Sequence, residues 1–264
     1  MNTYTLNDRH AIILENLASG FVSVADIAKL TNVSEITIRR DMAEMEKQGL
    51  LKRVHGGAKS INGRTTVVPF ALRQIRNQPE KKRIAKYAES MICDGECVAL
   101  DTGSTILHMT DYMDSYNLLT VLTTSVYNAT RLMTNPDIRI VLPGGILEGR
   151  EGALKGELAT RSLQDFFVDK FFLCVGAIDA AAGLTEHEPE DAQIKSIIIS
   201  RTKENILVLD SSKFNTTAFK RVCHFDVISK MVTDKAPEGA LLHAIKNAGV
   251  EIHVVAEDGS ARII

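Results

Sequence analysis

The four cysteines of this 264-residue chain, Cys93, Cys97, Cys174 and Cys223, form no Cys-x-x-Cys pair. That absence excludes a disulfide framework and a zinc ribbon, and the thiols read as small buried hydrophobes or free thiols in a reducing compartment. The seven histidines are scattered without ligand spacing, and His187 between Glu186 and Glu188 reads as a solvated loop, so neither a metal site nor a cofactor is expected. No apolar run approaches the ~20 residues that span a bilayer, and the N-terminus lacks the basic-then-apolar pattern of a signal peptide. The expected protein is soluble and cytoplasmic, with no membrane partner. Internal repeats and low-complexity tracts are missing too. An excess of one charge is also lacking: 31 Lys and Arg face 33 Asp and Glu, a net charge of −2, so the whole-chain charge says nothing about nucleic acid.

What is present is an apolar fraction of 45% and enough length for a small domain plus a medium one. The most informative stretch runs from Ser34 to Met42. Ser34 is a good helix N-cap, and Ile38, Met42 and Met45 recur at the spacing of one buried helical stripe. At about 100° per residue, Ile36, Thr37, Arg40 and Glu44 fall on the opposite side, with Arg39 on the flank. A cation, a hydroxyl and an aliphatic group suit the DNA major groove: Arg pairs with guanine acceptors, Thr meets base or phosphate, and Ile touches a thymine methyl.

Two adjacent arginines alone would be an ordinary solvated face; the surroundings decide. Arg9 to Leu17 reads as a helix, Ser19-Gly20 as a turn, and Val24 to Leu30 as a second short helix capped by Ser23. Thr31-Asn32-Val33 is the tight turn before the third helix, which Gly49 closes. This is a helix-turn-helix layout. Leu50 to Lys59 then reads as a basic hairpin, the wing of a winged helix, with Lys52, Arg53 and Lys59 set against phosphates and His55 at its tip. The candidate DNA-contacting set is Ser34, Ile36, Thr37, Arg39, Arg40, Lys52, Arg53, His55 and Lys59. Residues 1–60 hold eight Lys and Arg against seven Asp and Glu, a small excess that calls for a dimer or tetramer to accumulate phosphate contacts.

From Ser34 to Ala58 the ordered pattern Ser-x-x-Thr-Ile-Arg-Arg-Asp-Met, Met-Glu, Gly, Leu, Arg and His-Gly-Gly-Ala resembles the DNA-binding signature of the DeoR family of bacterial transcriptional regulators. The resemblance implies a winged helix-turn-helix domain followed by a domain that binds a small phosphorylated sugar. Residues 1–59 are taken as the head and 60–80 as a linker with a short helix at Phe70–Ile75. Residues 81–264 are taken as the sensor and oligomerisation domain.

The second part reads on its own terms as alternating β and α units. Strands are expected at Cys97–Leu100, Leu119–Thr123, Ile138–Leu142, Phe171–Val175, Ile206–Leu209, Val227–Val232 and Glu251–Val255, with helices between most of them. This pattern predicts a doubly wound, mostly parallel α/β sheet, whose ligands bind beyond the carboxyl ends of the strands. Those ends carry Asp101-Thr102-Gly103-Ser104-Thr105, Thr123-Thr124-Ser125, Pro143-Gly144-Gly145, Gly176-Ala177-Ile178-Asp179 and Asp210-Ser211-Ser212-Lys213. Glycine admits close backbone approach, hydroxyls and helix-start N–H groups cradle phosphate, and Lys213 supplies a cation. Each loop alone is compatible with an ordinary capped turn; five in succession point to a small polar anionic ligand.

These loops also resemble the family's effector domain, itself related to ribose-phosphate isomerase. The resemblance implies effector roles for Asp101, Gly103, Ser104, Thr105, Thr124, Ser125, Gly144, Gly145, Asp179, Asp191, Lys195 and Lys213. There are departures: the usual Thr-Asn-Ser is Thr123-Thr124-Ser125, Asp-Gly-Ile-Asp is Gly176-Ala177-Ile178-Asp179, and Glu-Ala is Asp191-Ala192. The expected protein is a DNA-binding transcriptional regulator that represses carbohydrate-use genes and is released by a phosphorylated sugar. An alternative is a sugar-phosphate isomerase-like enzyme with a DNA-binding head, in which Asp179 would serve as base and Lys213 would stabilise the enediolate. The related isomerases, however, place further acids where Gly176, Ala177 and Ala180 stand. A third possibility is a second domain used only for assembly.

Overall fold

The computed structural model describes residues 6–17, 20–61, 67–149 and 151–264. Ser19 of the expected turn and residues 62–66 of the expected linker lie outside them. The chain divides into two compact units, Met1–Gln78 and Pro79–Ile264.

In the first unit, α1 (Leu6–Asn16), β1 (Phe21–Ser23), α2 (Val24–Thr31) and α3 (Glu35–Lys47) precede β2 (Leu51–Val54), β3 (Gly57–Ser60) and α4 (Phe70–Ile75). Helix α1 begins earlier than the Arg9 expected from apolar periodicity. Ser23 caps α2 through Asp26 N–H, and Asn32 then takes the left-handed conformation (φ 54°), donating its N–H to Ala28 and Lys29 carbonyls. Asn tolerates that conformation because its short polar side chain bonds locally, so the chain turns tightly into α3. Ser34 caps α3, accepting Thr37 N–H. Ile38, Met42 and Met45 are fully buried with Ile13, Ile27 and Leu51; each such side chain contributes roughly 1.5–3 kcal/mol on removal from water. The three strands form an antiparallel sheet in the order β1-β3-β2. Helix α4 packs on α1, with Leu72 in the same core.

The second unit opens with α5 (Gln78–Glu89), β4 (Cys97–Leu100), α6 (Ser104–Met109), β5 (Leu119–Thr123), α7 (Val126–Leu132) and β6 (Ile138–Val141). A hairpin follows, β7 (Ile146–Glu148) with β8 (Ala153–Lys155), then α8 (Glu157–Leu163) and β9 (Val168–Leu173). Next come β10 (Ala177–Asp179), β11 (Gly183–Glu186), α9 (Pro189–Ile199), β12 (Thr202–Val208) and β13 (Lys220–Cys223). The unit ends with β14 (Lys230–Thr233), α10 (Gly239–Asn247), β15 (Glu251–Val255) and β16 (Ala261–Ile263).

The main sheet has the order β16-β15-β14-β12-β9-β4-β5-β6. All neighbours are parallel except the edge pair β15–β16. Side chains alternate between two cores, as strand geometry requires. Ala99, Phe171, Leu207, Met231 and Ile252 meet Ile194, Ile198 and Leu241 of α9 and α10 on one face. Val98, Leu100, Phe172, Ile206 and Val232 meet Ile84, Ile106 and Leu132 of α5, α6 and α7 on the other. The chain winds outward from β4 in one direction and from β9 in the other, so the switch point lies between these two strands.

The differences from expectation are local. The strand expected at Val227–Val232 begins at Lys230, because Phe225–Val227 forms a 3-10 turn. The stretch from Gly176 to Glu186 is a hairpin, β10–β11, extended by β13 into a small antiparallel sheet, instead of a loop. The β7–β8 hairpin was not foreseen. Among the described residues, no helix is long and apolar enough to cross a membrane.

Candidate functional site

On the first unit, α3 presents Ile36 (76% exposed) and the exposed Arg40, opposite its buried stripe. Arg40 makes no hydrogen bond or ion pair among the described residues. Thr37 is half-buried, and its hydroxyl lies 2.9 Å from Ser34 Oγ. Arg39 is tied to Glu35 one turn earlier, Nη2 to Oε2 at 2.9 Å. Asp41, from the middle of the arginine-rich stretch, is buried: Arg9 of α1 donates to both its oxygens, at 2.7 and 3.1 Å. This fork locks α1 to α3 and was not anticipated. Beside it His10 is buried, its Nε2 making no hydrogen bond but lying 4.0 Å from Asp41 Oδ1, and burial holds its pKa below the ordinary histidine value.

In the hairpin, Lys52 and Lys59 stand directly opposite one another and are exposed, as is His55 at the turn. Arg53 behaves differently from the simple phosphate contact expected. Its backbone N–H and its Nε both donate to the Glu46 carboxylate, each at 2.8 Å. Those two bonds hold Glu46 below the usual carboxylate range and fasten the hairpin to the last turn of α3. Between helix and hairpin lies a groove of about 530 Å³ lined by Arg39, Met42, Arg53, Val54, His55 and Gly56, among others. Ser34, Ile36, Thr37, Arg39 and Arg40 thus lie along one helix, and Lys52, Arg53, His55 and Lys59 along the hairpin joined to it.

In the second unit the switch point is occupied by charge. Asp101, at the end of β4, is buried and accepts Cys174 N–H (2.9 Å) and Thr102 N–H (2.8 Å). Its carboxylate also meets Lys195 of α9, whose side chain is 3% exposed. Lys195 further donates to the Cys174 carbonyl (3.0 Å) and lies 3.6 Å from Glu186. Burial alone would lower the Lys195 pKa, but Asp101 and Glu186 outweigh it and hold the ammonium charged. Burial likewise pushes Glu186 up, and Lys195 with the His187 N–H pulls it below the ordinary range. Asp101 and Lys195 therefore satisfy each other and frame the site from below. The Asp101 charge is thus already paired inside the fold, a pairing the loop resemblance did not imply. Gly103 is required by close approach: a Cβ there would sit 2.3 Å from Cys174 Sγ. That thiol is pushed up to about 12, chiefly by burial.

Ser104 and Thr105 open α6, buried. On the neighbouring strand end, Thr124 and Ser125 are also buried, and Ser125 caps α7 through Asn128 N–H (3.2 Å). Asn128, missed in the sequence, ties the two loops together by donating to the Asp101 carbonyl (3.0 Å) and Thr123 Oγ1 (3.3 Å). Gly144 and Gly145 (φ 77° and 121°) follow β6. A Cβ on Gly145 would stand 2.6 Å from the Lys155 carbonyl, so this turn packs against the β7–β8 hairpin, whose Leu154 N–H bonds the Thr124 carbonyl (2.8 Å).

Two of the expected effector residues make bonds within the fold. Asp179 Oδ1 accepts Ala181 and Ala182 N–H at 2.9 and 3.0 Å, building the β10–β11 turn. Asp191 pairs with Lys155 at 2.8 Å, and the same ammonium meets Glu148 (2.7 Å) and Glu188 (2.6 Å). Lys155, unnoticed in the sequence, joins the hairpin to the start of α9. Lys213 lies in a 3-10 turn, half-buried, and its charge reaches Glu186 and Cys174. No group of metal-ligating side chains occurs among the described residues.

Comparison with known proteins agrees with this division. Residues 9–64 match the DeoR-like helix-turn-helix domain, and residues 76–235 match the DeoR C terminal sensor domain. The uncharacterized HTH-type transcriptional regulator FruR of Bacillus subtilis is 32% identical over 86% of this chain and 90% of its own length. The HTH-type transcriptional repressor CsqR of Escherichia coli is 30% identical over 96% of this chain and 97% of its own. Among solved structures, ribose 5 phosphate isomerase A from Neisseria gonorrhoeae covers 53% of this chain and 55% of its own, with 19% identity and a TM-score of 0.38. The chain belongs to the DeoR family of DNA-binding transcriptional regulators, with a helix-turn-helix unit followed by a sensor domain.

Proposed function

We propose that this regulator is a cytoplasmic repressor of carbohydrate-use genes that binds a double-stranded operator and releases it on binding a phosphorylated sugar. Residues 1–59 are the DNA-binding head, 60–80 the connection, and 81–264 the sensor and assembly domain. The observation that carries the reading is the switch point. There Gly103, Ser104 and Thr105 at the end of β4 adjoin Thr124 and Ser125 at the end of β5, above a frame in which Lys195 and Asp101 already neutralise each other. A phosphate held by hydroxyls and backbone N–H groups of these loops, with the Lys213 charge nearby, needs no help from the framed carboxylate. Repression follows the role in the name of CsqR.

The sensor acts by binding and not by catalysis. An isomerase needs carboxylates placed for proton transfer; Asp179 spends one oxygen, Oδ1, on the Ala181 and Ala182 N–H groups of the β10–β11 turn, and Gly176, Ala177 and Ala180 stand where the related isomerases place further acids. On the DNA side, Arg40 and Ile36 read bases while Lys52, Lys59 and His55 meet phosphates. Two or four copies act together, since a single head carries little net positive charge. The effector biases how sensor domains associate, which it does only through unequal affinity for the two assemblies; head spacing against the half-sites changes as a result.

The test is thermal unfolding of the full chain against a panel of sugar phosphates and the matching free sugars. A ligand at about 100 times its Kd adds ~2.7 kcal/mol of stability. The expected result is a shift for one phosphorylated sugar, absent for its free form and absent in Lys213→Ala, with operator binding retained in that variant but no longer released. No shift across the panel would leave assembly as the sensor's role, and turnover of any sugar phosphate would favour the isomerase alternative.

A further inference from the structure

Four carboxylates lie on α3, and three have evident occupations. Asp41 receives the Arg9 fork, Glu46 holds the hairpin through Arg53, and Glu44 accepts Gln48 Nε2 at 3.1 Å near the helix end. Glu35 differs. It is the first residue of α3, at the end of a helix-turn-helix recognition helix that meets base edges. Its side chain is 50% exposed, and its only partner among the described residues is Arg39, itself 56% exposed. Only Oε2 is engaged, leaving Oε1 as an acceptor, and only Nη2 of Arg39 is engaged, leaving further donors.

A carboxylate here is unfavourable against the phosphate backbone and is matched on DNA by one kind of group, an amino donor on a base edge. In the major groove, cytosine N4 offers a donor without an adjacent acceptor, whereas adenine presents a donor beside N7. The Glu35–Arg39 couple is therefore complementary to a C·G pair: acceptor toward cytosine N4, donors toward guanine O6 and N7. Arg39 also screens the Glu35 charge as the helix approaches DNA.

We infer that Glu35 is a specificity-determining residue that, with Arg39, reads a C·G base pair in each half-site. This rests on α3 being the base-reading helix. The experiment is selection of bound sequences from a randomised duplex pool by the full chain, followed by titration of the selected duplex and its single-base variants. The forms compared are wild type, Glu35→Gln, Arg39→Ala, the double variant and Arg40→Ala. Glu35→Gln is expected to lose preference for cytosine at one position per half-site, on the order of ten-fold, and to gain adenine there, because glutamine bonds adenine N6 and N7. Its effect should shrink in the Arg39→Ala background, since the two residues act on one base pair. If Arg40→Ala alters base preference while Glu35→Gln leaves every position unchanged, or raises affinity uniformly, Glu35 belongs to a solvated ion pair and the inference is overturned. If neither variant alters preference, the assignment of α3 itself fails and the inference with it.

Discussion

The two units use the same ion-pair chemistry in opposite ways. On the head, Arg39–Glu35 and Arg53–Glu46 lie at the surface with side chains between 38% and 56% exposed. In the sensor, Lys195–Asp101 is sealed from solvent and Lys155 is nearly so. Exposed pairs contribute little, roughly 0–1 kcal/mol, because water already solvates both charges. They can be exchanged for a phosphate or a base at small cost. A buried pair is different. Its members have given up hydration, so removing one strands the other. The head keeps its charges exchangeable, as a surface that must meet DNA requires; the sensor fixes its charges so that loops from distant parts of the chain stay in register.

The largest effect expected from this contrast is at Lys195. Lys195→Met leaves the buried Asp101 and the part-buried Glu186 without their cation and should destabilise the sensor by about 3–5 kcal/mol, measured by urea unfolding followed by circular dichroism. Adding Asp101→Leu should recover a substantial part, since a buried pair replaced by apolar groups is often neutral. If Lys195→Met were tolerated within experimental error, the sensor's pairs would be no more structural than the head's.

Next comes Asp41, whose pair with Arg9 on the head follows the sensor's rule. Asp41→Asn should cost the first unit about 2 kcal/mol, the range for hydrogen bonds to charged groups. Hydrogen exchange of α1 and α3 amides reports it. The same corner gives a smaller, pH-dependent effect. His10 is buried and its pKa is lowered from 6.5, so the unfolded chain takes up its proton first. The stability it contributes is present above about pH 6.5 and is lost as pH falls toward its folded pKa. His10→Gln should flatten that decline in the exchange rates of α1. The smallest effect is at the surface clamp: Glu46→Gln should leave stability within the error of urea unfolding, because water solvates both partners. It should nevertheless weaken operator binding by loosening the hairpin, and an unaltered affinity would remove Glu46 from the positioning role.

Much of this was legible from residue order. Cys97–Leu100, Leu119–Thr123 and Glu251–Val255 are strands with the bounds that their apolar runs suggest. The caps Ser23 and Ser34, the Asn32 turn and the α3 stripe were equally visible, because each depends on residues within one or two turns of each other. The short strands β7, β8, β10 and β11 were not, having only three or four residues and glycines at their ends. Nor could spacing show that Asp179 would close a turn, that Asp191 would meet Lys155, or that Asp101 and Lys195, 94 residues apart, would neutralise one another.

The sequence by itself determined the family, the division of labour between a DNA-binding part and a sensor part, and the face of α3 left exposed. Local hydrogen bonding and hydrophobic period are written in neighbouring residues. Only the tertiary structure decided which charges are spent on the fold and which remain for a partner. A carboxylate's role depends on which cation long-range packing delivers to it and on how much water that packing removes.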